Sequence, residues 1–189
     1  FDLVIRNTQI ARPDGSRTDA DLACLNGSIE RIEGQITADA TETIDAQGHL
    51  LLPGVIDPQV HFREPGATHK ATIASESRAA AAGGVTSYME MPNVSPTTTS
   101  MDRLREKLSI AAQDSMANYA FYLGASNDNL EQVKAAPRRE IAGIKVFMGS
   151  STGNMLVDDE RTLENLFRHA PTLIATHCEH TPTILENER

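Results

Sequence analysis

After residue 50, short apolar runs alternate with longer segments whose residue content is typical of helices. The apolar runs are, in order, Leu50 to Ile56, Val85 to Met91, Ala117 to Leu123, Ile141 to Met148 and Leu173 to His177. The helix-like segments are Thr72 to Ala82, Ser100 to Ser115, Asn129 to Ala136 and Asp158 to His169. Strands that alternate with helices in this rhythm are typical of βαβ units, in which the strands lie parallel in one sheet. The pattern therefore predicts an α/β fold.

The number of strands is too small for the closed form of this architecture. A (β/α)8 barrel has eight strands in about 250 residues, whereas this chain has 189 residues and five predicted parallel strands. Five strands alone would leave two long unpaired edges, which promote aggregation. We therefore expect residues 51–189 to be the N-terminal part of a TIM-type (β/α)8 barrel in a longer protein.

Residues 1–50 follow a different pattern, in which short strand-like runs are joined by turns. The run Leu22 to Leu25 and the run Ser28 to Ile32 flank the turn-forming pair Asn26-Gly27, and a second turn is predicted at Pro13-Asp14-Gly15. This segment predicts a small antiparallel sheet that is separate from the barrel.

Composition and charge narrow the classes of partner. The chain has 17 Lys and Arg against 26 Asp and Glu, a formal net charge of −9, and no basic run that could follow a phosphate backbone. We therefore expect neither nucleic acid nor an anionic membrane as a partner. No stretch approaches the roughly 20 apolar residues of a membrane span, and two cysteines are too few for a disulfide framework. These features favour a cytoplasmic protein.

Polar side chains that could form a functional site follow the first long apolar run. Because side chains alternate between faces along a strand, Asp57, Gln59, His61 and Arg63 should share one face. In parallel barrels the active site lies at the carboxyl ends of the strands. A single histidine near a strand end is more often a hydrogen-bonded structural residue than a metal ligand, so this segment alone leaves both roles open.

Two later strands carry further candidates. Lys145 lies inside an apolar run, and lysine is rarely buried without a partner. Either its side chain extends to water, or it is desolvated enough to be neutral and to react with carbon dioxide, giving a carbamate that could bridge two metal ions. His177 ends the next apolar run. The adjacent Cys178 should point to the opposite face, and we interpret it as a small core residue.

Four segments, taken in order, resemble a known enzyme family. The segments "GVIDPQVHFREPG", "AGGVTSYMEMPN", "GIKVFMGSSTGNM" and "ATHCEH" resemble the dihydroorotase family, in the cyclic-amidohydrolase branch of the amidohydrolase superfamily. The opening "FDLVIRNTQI" and the later "IDAQGHLLLPG" resemble the small β-sandwich that precedes the barrel in these enzymes. The resemblance covers nearly the whole chain and implies a hydrolase of cyclic amides.

The resemblance also implies roles for individual residues. His61, Lys145 and His177 would be zinc ligands, with Lys145 carboxylated and bridging two zinc ions. Arg63 and Asn93 would hold the carboxylate of a small anionic substrate, dihydroorotate or carbamoyl aspartate. The catalytic Asp and the remaining zinc-binding His of the family would follow Arg189, and the protein would be a homo-oligomer.

Gln59 departs from the pattern of the family, which usually has His-x-His after the first strand. Glutamine is a weak oxygen donor, whereas zinc prefers nitrogen or sulfur. Three hypotheses therefore remain: a dihydroorotase that tolerates Gln59, a sister enzyme of the allantoinase or dihydropyrimidinase type, or a non-catalytic dihydroorotase-like subunit that scaffolds a carbamoyltransferase. The retained His61, Arg63, Asn93, Lys145 and His177 favour an active dihydroorotase.

Overall fold

A computed structural model describes residues 1–149, 151 and 153–188, and the chain divides into two compact units. The first unit is Phe1–Pro53 and the second begins at Gly54. Each helix among the described residues is too short or too polar to cross a membrane.

The first unit contains one five-stranded sheet. Its strands are β1 (Leu3–Ala11), β2 (Arg17–Leu25), β3 (Ser28–Glu33), β4 (Glu42–Asp45) and β5 (Leu50–Leu51). The order is β3-β2-β1-β4, and β5 also pairs with β1. Asn26 and Gly27 both have positive φ, as a two-residue hairpin turn between β2 and β3 requires.

The pairing of this sheet corrects the predicted antiparallel arrangement. β2 pairs antiparallel with both β1 and β3, whereas β4 and β5 run parallel to β1. The connection over residues 34–41 is long enough to return the chain to the far side of β1, which a tight turn could not do. The second layer of a β-sandwich stays a prediction.

The second unit contains a five-stranded parallel sheet with intervening helices, which confirms the predicted α/β fold. The strands are β6 (Val55–Val60), β7 (Val85–Glu90), β8 (Asn118–Gly124), β9 (Gly143–Phe147) and β10 (Ile174–His177), in the order β10-β9-β8-β7-β6. The helices are α1 (Ile73–Ala82), α2 (Met101–Asp114), α3 (Leu130–Lys134), α4 (Glu160–His169) and α5 (Thr181–Asn187). The sequence did not predict α5.

The first predicted strand is in fact two strands. Leu50 and Leu51 belong to the sheet of the first unit, and β6 begins only at Val55. Pro53 has no N–H for a strand ladder, which explains why pairing stops between them. A Cβ on Gly54 would lie 2.0 Å from the Thr86 Oγ1 atom on β7, so only glycine fits there.

Apolar side chains between the parallel sheet and its helices form the core of the second unit. Phe121, Ile144 and Val146 project from the strands, and Leu104 and Leu166 project from α2 and α4; none is exposed to solvent. Full burial of such a side chain contributes about 1.5–3 kcal/mol. Side-chain caps from Thr72, Ser100 and Asp159 begin α1, α2 and α4. This packing fixes the positions of the strand ends.

Candidate active site

One pocket of about 390 Å³ brings together all five residues that the sequence singles out as ligands or substrate contacts. Its walls consist of Gln59, His61, Arg63, Met91, Asn93, Lys145, Phe147, Ser151 and His177. His61 follows β6 and His177 ends β10, and these strands form opposite edges of the sheet. Because both edges contribute to one pocket, the sheet curls around it. The roles of these residues stay predictions.

His61 is oriented by Asn93. Its Nδ1 atom lies 2.9 Å from the Asn93 Oδ1 atom. An amide oxygen only accepts, so Nδ1 donates and Nε2 keeps its lone pair for another partner. Burial lowers the pKa of His61, the hydrogen bond to Asn93 opposes this shift, and the charge of Arg63 adds to it. The neutral imidazole, which is the form that binds metals, is therefore favoured.

Arg63 faces the pocket through an unusual backbone conformation. Strand β6 ends at Val60, and Arg63 has a φ of 68°, in the left-handed region. This conformation costs a residue other than glycine roughly 1–2 kcal/mol. Alternation along a strand was therefore the wrong reason for placing Arg63 beside His61. Asp57 does not line the pocket; its Oδ1 accepts a hydrogen bond from the Gln59 N–H at 3.0 Å.

Lys145 is only 3% exposed. Its side chain does not extend to water, which rules out the first of the two interpretations drawn from the sequence. Within the described residues no carboxylate forms an ion pair with it, and its Nζ lies 4.9 Å from the centre of the Phe147 ring. Burial lowers the pKa of Lys145, and the nearby Cys178 opposes this shift. A neutral amine is the form of lysine that reacts with carbon dioxide.

His177 is held at the mouth of the pocket by two neighbours. Its ring stacks on that of Phe147, with 6.0 Å between centroids, and its Nε2 lies 3.1 Å from Glu179 Oε1. A Cβ on Gly149 would lie 2.2 Å from Glu179 Cβ, so this glycine leaves room for the carboxylate side chain. Cys178 is exposed, and the prediction that it lies in the core was wrong. It follows β10, which lies at the edge of the sheet.

The donor set of the pocket is compatible with a metal ion but incomplete. Among the described residues, no three His, Cys, Asp or Glu side chains lie close enough together to hold one. The pocket offers two imidazoles, the Lys145 amine and the neutral amide of Gln59. Zinc takes four ligands, usually nitrogen, sulfur or carboxylate oxygen. The set therefore suits zinc only if Lys145 carries a carbamate and further ligands come from elsewhere.

Sequence reasoning missed two groups of residues around the pocket. Met91, Phe147 and Ser151 line it without carrying an obvious signal. Glu90 and Lys107 form a fully buried ion pair behind it. A signal for this pair existed, since Glu90 lies within an apolar run and Lys107 falls at helical spacing between Leu104 and Ala111.

Comparisons with known proteins agree with this geometry. A family model described as Dihydro-orotase-like matches residues 48–150. An allantoinase from Desulfitobacterium hafniense is 40% identical over 148 residues, which cover 78% of this chain and 33% of the relative. A dihydroorotase from Methanosarcina acetivorans is 33% identical over 192 residues, which cover 100% of this chain and 41% of the relative.

Solved structures show the same likeness. The L-hydantoinase (dihydropyrimidinase) from Arthrobacter aurescens matches with a TM-score of 0.91 and 28% identity, over 98% of this chain and 42% of that one. The chain thus spans less than half the length of these relatives. The family model covers more than half of the chain, and its motif-bearing strand ends meet in one pocket. The chain belongs to the dihydroorotase-like family, in the cyclic-amidohydrolase branch of the amidohydrolases.

Proposed function

We propose that the chain is the N-terminal part of a zinc-dependent dihydroorotase, which interconverts N-carbamoyl-L-aspartate and dihydroorotate in pyrimidine biosynthesis. The observation that carries this proposal is the placement of the Arg63 guanidinium in the same pocket as His61, Lys145 and His177. A cation beside the ligand set suits a cyclic amide that bears a carboxylate. We expect the whole protein to be a homo-oligomer in the cytoplasm.

The residues of the chain would divide the work as follows. His61, His177 and the carbamate of Lys145 would hold zinc, which supplies polarisation of the amide carbonyl and activation of water. Arg63 would bind the substrate carboxylate through two parallel, charge-assisted hydrogen bonds. Asn93 accepts from His61 through its oxygen, so only its Nδ2 group remains to donate to the carboxylate. An Asp outside residues 1–189 would move the proton to the leaving nitrogen.

An allantoinase is the second candidate, and one observation favours it. An allantoinase relative is 40% identical over 78% of this chain, against 33–34% over 96–100% of this chain for the dihydroorotase relatives. A scaffold for a carbamoyltransferase rests on Gln59 alone and is the weakest of the three.

The test is a comparison of substrates with the full-length protein. Zinc content is measured together with steady-state hydrolysis of dihydroorotate, allantoin and dihydrouracil. Zinc binding with preferred turnover of dihydroorotate would support the proposal, and preferred turnover of allantoin would support the second candidate. Absence of both zinc and turnover, with co-purification of a carbamoyltransferase, would support the scaffold.

An Arg63→Lys variant separates the first two candidates further. Lysine keeps the charge but loses the planar, two-pronged donor geometry. We expect KM for dihydroorotate to rise about tenfold, which corresponds to roughly one lost charge-assisted hydrogen bond, while KM for allantoin changes little because allantoin carries no carboxylate. Equal effects on both substrates would contradict the role given to Arg63.

A further inference from the structure

Glu90 and Lys107 form an ion pair in the interior of the second unit. Both side chains are fully buried, and Lys107 Nζ lies 2.7 Å from Glu90 Oε2. Lys107 Nζ also donates to the Met91 carbonyl at 3.0 Å and lies 5.0 Å from the centre of the Phe121 ring. Burial raises the pKa of Glu90 and lowers that of Lys107, and their attraction opposes both shifts. Buried ion pairs of this kind are often no more stabilising than apolar residues of similar volume. Stability alone therefore does not account for the pair.

The second oxygen of Glu90 reaches the segment that carries His61 and Arg63. Glu90 Oε1 accepts a hydrogen bond from the Phe62 N–H at 3.0 Å, and the Arg63 N–H faces the same carboxylate. Neither Glu90 nor Lys107 lines the pocket. The pair therefore touches the backbone of the site rather than anything bound in it.

The backbone at this point needs support. Arg63 is in the left-handed region, which side chains with a Cβ rarely adopt. Such conformations persist only where surrounding interactions determine them. A carboxylate that accepts from the N–H of Phe62 and faces the N–H of Arg63 is an interaction of that kind, and Lys107 holds the carboxylate in place.

We propose that Glu90, fixed by Lys107, is a positioning residue. Its carboxylate holds the Phe62–Arg63 backbone so that the Arg63 guanidinium and the His61 imidazole both face the pocket. Of the two measurements that test this role, only the enzyme kinetics rests on the proposed function.

Two paired substitutions in the full-length protein test this role. Glu90→Gln/Lys107→Met removes both charges but keeps an amide oxygen that can accept from the Phe62 N–H. Glu90→Leu/Lys107→Met removes both charges and the acceptor. Each replaces the ion pair by neutral groups of similar volume and leaves no unpaired charge, so a difference between them reports the acceptor. Arg103→Met, which breaks the exposed pair of Arg103 with Glu106 on the same helix, is the control.

Two measurements are compared across these variants. The first is amide hydrogen exchange of a peptide over residues 60–66, with a peptide over residues 118–124 of β8 as internal reference. The second is KM and kcat for dihydroorotate. For the Leu variant we expect exchange of the first peptide and KM both to rise about tenfold, the equivalent of one lost hydrogen bond. For the Gln variant and for Arg103→Met we expect values close to wild type, and kcat should change less than KM throughout.

Each other outcome overturns the inference. Equal exchange and equal KM in the two double variants would mean that the acceptor has no role. Faster exchange with unchanged KM would mean that the segment is held but that Arg63 does not depend on it. Faster exchange in both peptides alike would indicate a general loss of stability.

A third variant covers the case in which the Leu variant does not fold. Glu90→Asp keeps both charges and shortens the side chain by one methylene, so the carboxylate withdraws from the Phe62 N–H. It should reproduce the rise in KM and exchange, and wild-type values would overturn the inference. If the full-length wild-type protein hydrolyses no cyclic amide, the proposed function fails, and the exchange comparison alone decides the inference.

Discussion

The two sides of the pocket differ in how firmly they are held. The first wall consists of Gln59 on β6 and of His61, Arg63 and Asn93, which follow β6 and β7. The second wall consists of Lys145, Phe147 and His177, on β9 and β10. The difference teaches that hydrogen bonds within the fold orient the first wall, whereas in the second wall the buried Lys145 amine has no ion pair among the described residues.

Contacts behind the first wall fix its backbone and its histidine. Asn93 orients His61, and Glu90 accepts from the Phe62 N–H. Glu64 Oε2 accepts from the Ile73 N–H at 2.7 Å, which ties the same loop to the start of α1.

The second wall differs in the partners of its two polar side chains within the described residues. Lys145 is buried without an ion pair among the described residues, and His177 is exposed with Glu179 beside it. A buried amine without a charge partner is costly unless it is neutral or chemically changed. Substitutions in the two walls should therefore have different consequences.

The largest effect should come from Gly66→Ala, which should destabilise the loop that carries the first wall. Gly66 has a φ of 97°, and a Cβ there would lie 2.0 Å from the Ser95 carbonyl oxygen. Backbone strain and overpacking together should lower the free energy of unfolding by about 3 kcal/mol, as measured by urea denaturation.

Gly84→Ala is the matched control for this prediction. Gly84 has a φ of 84°, but a Cβ there would meet nothing within 4 Å. It should therefore show the strain without the clash, about 1–2 kcal/mol. Equal losses in the two variants would mean that the loop of the first wall moves to accommodate the methyl group and is less rigid than its contacts indicate.

Lys145→Ala, in the second wall, should have the next largest effect. Loss of the carbamate would remove a negatively charged ligand, so we expect zinc affinity to fall by at least about a hundredfold. This loss is larger than the usual effect of removing a residue that only orients a ligand. Chelator competition measures the affinity. The free energy of unfolding without zinc should stay the same or rise, because a buried amine is removed.

Lys134→Ala serves as control for Lys145→Ala, since Lys134 forms a partly exposed pair with Glu131 on α3. It should leave zinc affinity unchanged. Wild-type zinc affinity in Lys145→Ala would show that this lysine is not a ligand.

Asn93→Ala should have a smaller effect on zinc affinity, because it would loosen the proposed ligand His61 without removing it. Without its acceptor, the His61 ring can rotate and take the other tautomer. We expect zinc affinity to fall about tenfold, at the low end for a residue that orients a ligand. A loss as large as that of Lys145→Ala would mean that Asn93 binds the metal itself, and no loss would mean that the ring is held by packing.

Gln59→His should have the smallest effect and the opposite sign. Gln59 already lines the pocket, and an imidazole is a better zinc ligand than an amide oxygen. Zinc affinity should rise by up to about tenfold. Weaker binding would indicate that the backbone at Gln59 directs its side chain away from the metal.

Much of the second unit was predictable because its signals are local. Alternating apolar runs and N-cap residues such as Thr72 and Ser100 depend on neighbours in the sequence, and the elements they predict are present. The parallel pairing of β4 and β5 was not predictable, because no turn signal specifies where a long connection returns.

The features of the site also divide into those with a local sequence signal and those without one. His61 was predictable from its place directly after an apolar strand and Lys145 from its place within one, and the pocket brings them together. The left-handed backbone of Arg63 and the pairing of Glu90 with Lys107 depend on contacts between distant segments, which no local pattern encodes.

Because both edges of the sheet contribute to the pocket, the ribosome synthesises its two walls at different times. At about 5–20 residues per second, a ribosome needs roughly 6 to 23 s to proceed from His61 to His177. Asn93, Glu90 and Lys107, which support the first wall, are all synthesised well before His177. If the pocket binds zinc as proposed, the nascent chain would expose the first wall before the ligands of the second wall exist, and we expect metal uptake to wait until β10 has left the ribosome.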